Sequence, residues 1–123
     1  MLSPGLEQYP DHHVVVGPLS KRVEIFIEGE KVVETRSALI VHETDCDPVV
    51  YVPRSEIIDL TFRKIDDYHC PFKGRAEIYN VKHGSRELKN AAWAYEAPYD
   101  DYQELKGYIA FYPKKVQELR ITG

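Results

Sequence analysis

The sequence predicts a mainly β fold, a single compact antiparallel β domain over residues 1–123, and three observations carry that expectation. Apolar and polar residues alternate at every second position through much of the chain, the pattern of half-buried strands. Turn formers, among them Gly29, Pro48, Gly84 and Pro113, break the pattern at short intervals. Crossover helices of the length a parallel sheet requires are missing, which excludes an α/β nucleotide fold.

The first ten residues carry no such pattern and are expected to be flexible. Val23, Ile25 and Ile27 then alternate with Arg22, Glu24, Phe26 and Glu28 as a strand. A turn at Gly29-Glu30 leads into a second strand over residues 31–36, giving a hairpin. Residues 38–43 and 49–52 are two further strands, separated by the loop Thr44-Asp45-Cys46-Asp47-Pro48. Pro53 stops the latter, since it has no N–H for a ladder. Ile58, Leu60 and Phe62 alternate with Asp59, Thr61 and Arg63, and a loop over residues 66–74 follows. Residues 75–83 and 87–95 form a second hairpin through Gly84-Ser85. One short helix is expected near residues 100–106, with Asp100 and Asp101 in its first turn and Gly107 at its C-terminal cap. Strands over 108–112 and 116–121, around Pro113-Lys114-Lys115, complete the pattern.

Composition narrows the function classes. Hydrophobic residues make up 43% and charged residues 29%, the balance of a globular domain and not of a disordered segment. A net charge of −4 argues against nucleic acid as a partner, because phosphate binding needs a basic face. No apolar run approaches the roughly 20 residues of a membrane-spanning helix, and no basic flank precedes an apolar stretch near the start. A cytoplasmic protein without a membrane partner is the expectation. Cys46 and Cys70 are too few for a disulfide scaffold, and free thiols are expected.

Three segments could carry chemistry. In His69-Cys70-Pro71-Phe72-Lys73-Gly74 a thiol lies beside an imidazole and three residues from an ammonium, which can make a thiolate nucleophile. The plain alternative is a turn whose Cys is buried and whose Lys is solvated. In Tyr51-Val52-Pro53-Arg54-Ser55-Glu56 the rigid proline leaves Arg54 at a strand end, where a guanidinium can hold an anion or simply pair with an acid. The third is Trp93-Ala94-Tyr95 with Pro98-Tyr99 and the run Gly107-Tyr108-Ile109-Ala110-Phe111-Tyr112. Such aromatic walls stack a planar ligand or form ordinary core. The five histidines show no metal-ligand spacing, so neither a metal nor a cofactor is expected.

In this order, Ala38-Leu39-Ile40-Val41, Tyr51-Val52-Pro53-Arg54, His69-Cys70-Pro71-Phe72-Lys73-Gly74, Trp93-Ala94-Tyr95-Glu96-Ala97-Pro98-Tyr99 and Gly107-Tyr108-Ile109-Ala110-Phe111-Tyr112 resemble the domain of unknown function 427 family, also labelled nucleotidyltransferase-like. The resemblance spans about residues 21–116. It implies a β domain of the Mss4-like, β-tent type, whose relatives include zinc-binding chaperone-like proteins and thiol-based sulfoxide reductases. This sequence lacks their paired Cys-x-x-Cys knuckles, so a zinc site does not carry over. The transferase label comes without a phosphate-binding glycine loop. What the resemblance does imply is that Arg54, His69, Cys70, Lys73, Trp93, Tyr95, Tyr99 and Tyr108 share one region.

Two functions follow as expectations. The first is a pocket for an anionic or planar small molecule, in an enzyme or a plain binding protein. Cys70, His69 and Lys73 are its candidate catalytic residues, and Arg54, Tyr79, Trp93, Tyr95, Tyr99 and Tyr108 its candidate ligand-binding residues. The second is a non-catalytic protein-interaction module, with exposed aromatic residues as contacts and strand edges able to pair in a homo-oligomer.

Overall fold

The structure is a computed structural model and describes residues 2–123. Among the described residues, ten antiparallel strands form two sheets. The small sheet comprises β2 (Arg22–Ile27), β3 (Glu30–Thr35) and β10 (Glu118–Thr122), in the order β10-β2-β3. The large sheet contains β1 (Val14–Pro18), β4 (Leu39–Glu43), β5 (Val49–Pro53), β6 (Thr61–Cys70), β7 (Gly74–His83), β8 (Arg86–Pro98) and β9 (Tyr108–Phe111). Its order is β1-β4-β5-β9-β8-β7-β6, which leaves β1 and β6 as edges. No helix among the described residues is long and apolar enough to cross a membrane.

Both expected hairpins form. The β2–β3 turn falls one residue earlier than expected, on Glu28-Gly29, both at positive φ (51° and 79°). That pair of left-handed residues matches the twist of the strands it joins. Gly84 at φ 59° does the same between β7 and β8. β10 does not return onto β9; it crosses to the small sheet and pairs with β2.

One expectation needs correction. Residues 66–74 were expected as a loop, but β6 runs on to Cys70, and the turn is confined to residues 71–73. An edge strand exposed on both sides shows no apolar alternation, and a bulge at Ile65 breaks its register. The start, expected to be flexible, makes contacts of its own over its described residues. Helix α1 (Pro4–Gln8) docks through the Gly5 N–H, which donates to the Pro71 carbonyl at 2.9 Å, and the buried Ser3 N–H donates to Asp101 at 2.9 Å. Met1 lies outside the described residues. The short helix expected near 100–106 forms, as a 3-10 segment over Asp100–Leu105 kinked at Tyr102, and a second 3-10 turn spans Arg54–Glu56.

Cross-strand pairing fixes two faces of the large sheet. Tyr79, Ala92 and Phe111 are neighbours on one face; Ile78, Trp93 and Ala110 are neighbours on the other. The first face packs on the small sheet around Val23, Ile25, Val33, Val52, Val81 and Ile109. The second carries its own cluster, with Tyr51, Cys70, Tyr95, Tyr102 and Leu105 buried together. Pocket chemistry on the two faces is therefore separated by the sheet itself.

His83, buried at the end of β7, ties the sheets together at the β2–β3 turn. Its Nδ1 is 3.0 Å from Glu28 Oε1 and its Nε2 3.2 Å from Glu30 Oε2. Two carboxylates accept, so both ring nitrogens carry protons, and the hydrogen bond to Glu28 raises the His83 pKa above 6.5. A raised folded value means stabilisation that is complete below the unfolded pKa and lost as pH rises through the folded one. The stability gap between the native chain and His83→Gln should be widest near pH 6 and close toward about pH 9, measured by urea unfolding across that range.

Candidate functional site

The turn between β6 and β7 sets Lys73 against the second face. Gly74 leaves it at φ 116°, opposite Pro98 of β8, and the Tyr99 N–H donates to the Lys73 carbonyl at 2.9 Å. Lys73 is itself buried, and its Nζ is hydrogen-bonded to Glu43 Oε1 from the end of β4. Glu43 Oε2 lies 2.8 Å from His12 Nε2, and the His12 ring stacks on Phe72 at 3.9 Å. Burial alone pushes the Glu43 carboxyl up, but the hydrogen bonds from Lys73 and His12 outweigh it and hold the pKa below the usual 4.5. Lys73 Nζ also stands 5.6 Å from the centre of the Tyr95 ring.

This ion pair borders a cavity of about 310 Å³. Tyr51, Trp93 and Tyr95 form its inner wall, Ala76 and Ile78 a smooth aliphatic side, and the exposed Tyr68 its mouth. The Trp93 indole N–H donates to the Tyr51 hydroxyl at 3.1 Å, and the two rings meet edge to face at 84°. Tyr112, also in the lining, packs on Trp93 with ring centres 4.4 Å apart. Burial pushes the Tyr51 and Tyr95 hydroxyls up, so both stay protonated at neutral pH and serve as hydrogen-bonding walls, not as bases.

The sequence candidates divide between five places. Lys73, Trp93 and Tyr95 line the cavity together. Cys70 sits behind the wall: it is 5% exposed, and its Sγ accepts the Lys73 backbone N–H at 3.4 Å. His69, the next residue of the strand, points the other way and meets the Tyr99 hydroxyl at 3.0 Å on the surface. Neighbouring strand residues face opposite sides, so His69 is no partner for the Cys70 thiol. Tyr108 packs against the second cluster without lining the cavity.

Arg54 and Tyr79 belong to the first face. Arg54 Nη1 is 2.8 Å from Glu96 Oε1, and its guanidinium lies 5.1 Å from the Tyr79 ring centre and 5.5 Å from that of Phe62. Tyr79 donates toward Glu96 at 3.3 Å, and burial pushes its hydroxyl up to about 12. Arg54 is thus paired with an acid across the sheet from Lys73, and the two cations do not share a ligand. Glu43, His12, Tyr51 and Tyr68 complete the Lys73 site without having been singled out for it. Of these, Tyr51 stands in the Tyr51-Val52-Pro53-Arg54 segment, and the adjacency of His12 and His13 is the one local signal for His12.

Both cysteines are free, Cys46 exposed and Cys70 buried. Gly5 is the seat of the N-terminal segment that brings His12 to Glu43. A Cβ there would lie 2.6 Å from the Pro71 carbonyl oxygen and 2.7 Å from Phe72. Gly5→Ala should undock α1 while the sheets stay folded. Hydrogen exchange checks this as lost protection of the Tyr9 amide, which donates to the Gly5 carbonyl, with core amides unchanged.

A family model described as a domain of unknown function, DUF427, matches residues 15–122, nearly the whole chain. No curated protein matches it.

Proposed function

The chain belongs to the DUF427 family, whose description carries no activity, and on that premise we propose that it binds a small planar ligand in the Lys73 cavity. The observation that carries this is a buried Lys73, paired with the half-buried Glu43, opening onto a cavity with aromatic walls. Removing two charges from water costs more than a well-packed apolar pair would, so such a pair beside a hollow is weak as a stability device. It is apt as a recognition device. Lys73 keeps donor capacity beyond Glu43, while Glu43 cancels its charge. The ligand that fits is an uncharged ring with one carbonyl acceptor toward Lys73 and its faces against Trp93 and Tyr95. The anionic ligand expected from sequence was to be held by Arg54 and Lys73 together, and Arg54 pairs with Glu96 on the other face.

Trp93 is the single tryptophan and lines the cavity, so its emission reports occupancy. Benzamide should quench it saturably, with Kd on the order of 0.1–1 mM for so small a fragment. Benzoate, repelled by Glu43, and cyclohexanecarboxamide, which cannot stack, should each bind about tenfold more weakly. Equal response to all three, or to none, contradicts the reading.

The interaction-module alternative draws on the open edge of β6, where Ile65 and Tyr68 are exposed. That strand also carries Arg63, Lys64, Asp66 and Asp67 and the bulge at Ile65, the features that discourage edge pairing. Tyr68 is moreover the mouth of the cavity. The pocket reading therefore takes precedence.

A further inference from the structure

A second hollow lies where the chain leaves the large sheet for the small one. It measures about 680 Å³, roughly twice the Lys73 cavity, and opens between β5, β9 and β10. Val50, Phe111, Leu119 and Ile121 give it an apolar lining, and Ile121 remains 41% exposed although large and hydrophobic. An exposed hydrophobic residue facing an apolar cleft, on a chain that could have placed a polar residue there, points to an occupant.

The rim supplies the second half of the argument. Lys114 and Lys115 stand side by side on the exposed turn at the cleft, and Asp47 is the one acid among the described residues lining it. The rim therefore carries net positive charge in a protein whose overall charge is −4. An apolar cleft with cationic groups at one end matches a molecule with an apolar chain and one anionic end. We infer that this cleft binds a monomeric amphipathic carboxylate, an acyl chain lying along Phe111, Leu119 and Ile121 with its carboxylate at Lys114 and Lys115.

This site is independent of the planar-ligand reading, although Val49, Trp93 and Tyr112 border both hollows. Methyl resonances separate them: Leu119 and Ile121 line only the cleft, Ala76 and Ile78 only the Lys73 cavity. The test is titration of the methyl-labelled full chain with octanoate, nonanoate and decanoate below their micelle concentrations, with decanol as the uncharged control. Affinity should rise about fourfold per methylene, the equivalent of about 0.8 kcal/mol for each one buried. Shifts should centre on Leu119 and Ile121. Lys114→Gln combined with Lys115→Gln, on an exposed turn, should weaken decanoate about tenfold and leave decanol unchanged. Ile121→Asp, a second and independent variant, should abolish binding of both. Affinity independent of chain length, decanoate insensitive to loss of the lysines, shifts confined to Ala76 and Ile78, or association only with anionic lipid vesicles would each overturn the inference.

Discussion

Lys73→Met is expected to lower the unfolding free energy by about 2–3 kcal/mol, because it leaves Glu43 ionised and half-buried with only His12 for company. The figure sits below the full cost of breaking a deeply buried pair, since 11% of the Lys73 side chain and 13% of the Glu43 side chain remain exposed. The pH dependence carries the sign. Glu43 has a folded pKa below 4.5, so its stabilising contribution is fully present above that value and disappears as pH falls through the folded one. The gap between the native chain and Lys73→Met should therefore be widest at neutral pH and narrow in acid, where Glu43 is protonated in both. Adding Glu43→Gln to Lys73→Met should recover part of the loss, because the orphaned charge is gone. A double-mutant cycle by urea unfolding, with an expected coupling of about 1–3 kcal/mol, checks all three statements.

The second large effect is at Gly74. An alanine there must hold φ near 116° and place its Cβ 2.6 Å from the Ala97 carbonyl oxygen, 2.9 Å from Pro98 Cα and 2.9 Å from the Tyr99 nitrogen. All three obstacles are backbone, so no side chain can swing aside. Gly74→Ala should cost about 3 kcal/mol or more, from left-handed strain together with the clash. It should also separate the β6–β7 turn from β8 and carry Lys73 away from the cavity. Gly84→Ala is the control: it shares positive φ but has open space around its Cβ, and about 1–2 kcal/mol is expected. Denaturant midpoints of the two variants side by side measure the difference that close backbone approach makes.

These two residues also show what a sequence reveals. Lys73-Gly74 could be singled out because a cation beside a turn-forming glycine is a local pattern, and Trp93-Ala94-Tyr95 because one strand face is a local pattern. Glu43 and His12 could not, since Glu43 is 30 positions from Lys73 and His12 is 31 from Glu43; only the folded chain joins them. Arg54 looked equivalent to Lys73 as a cation at a strand end. The difference is which face of the sheet each meets, and pairing across β5, β9 and β8 decides that.

The same physics explains the elements. In β2 the apolar residues Val23, Ile25 and Ile27 alternate because one side packs on a core. β7 and β8 bury residues on both faces and are legible through the turn at Gly84-Ser85 that joins them. β1 and β6 are edge strands with little burial, so β1 went unread and the end of β6 was taken for a loop. Helix α1 has five residues and gains its order from docking on Pro71, not from its own propensity.

The claim on which the account turns is that the Lys73 cavity, and not the surface around it, is the place of recognition. Methyl-labelled protein titrated with benzamide tests it directly. The account predicts saturable shifts at Ala76 and Ile78, accompanied by the Trp93 indole N–H, with Leu119 and Ile121 unmoved. Shifts at Leu119 and Ile121 in place of those, or no saturable shift while the fold is intact, would contradict it.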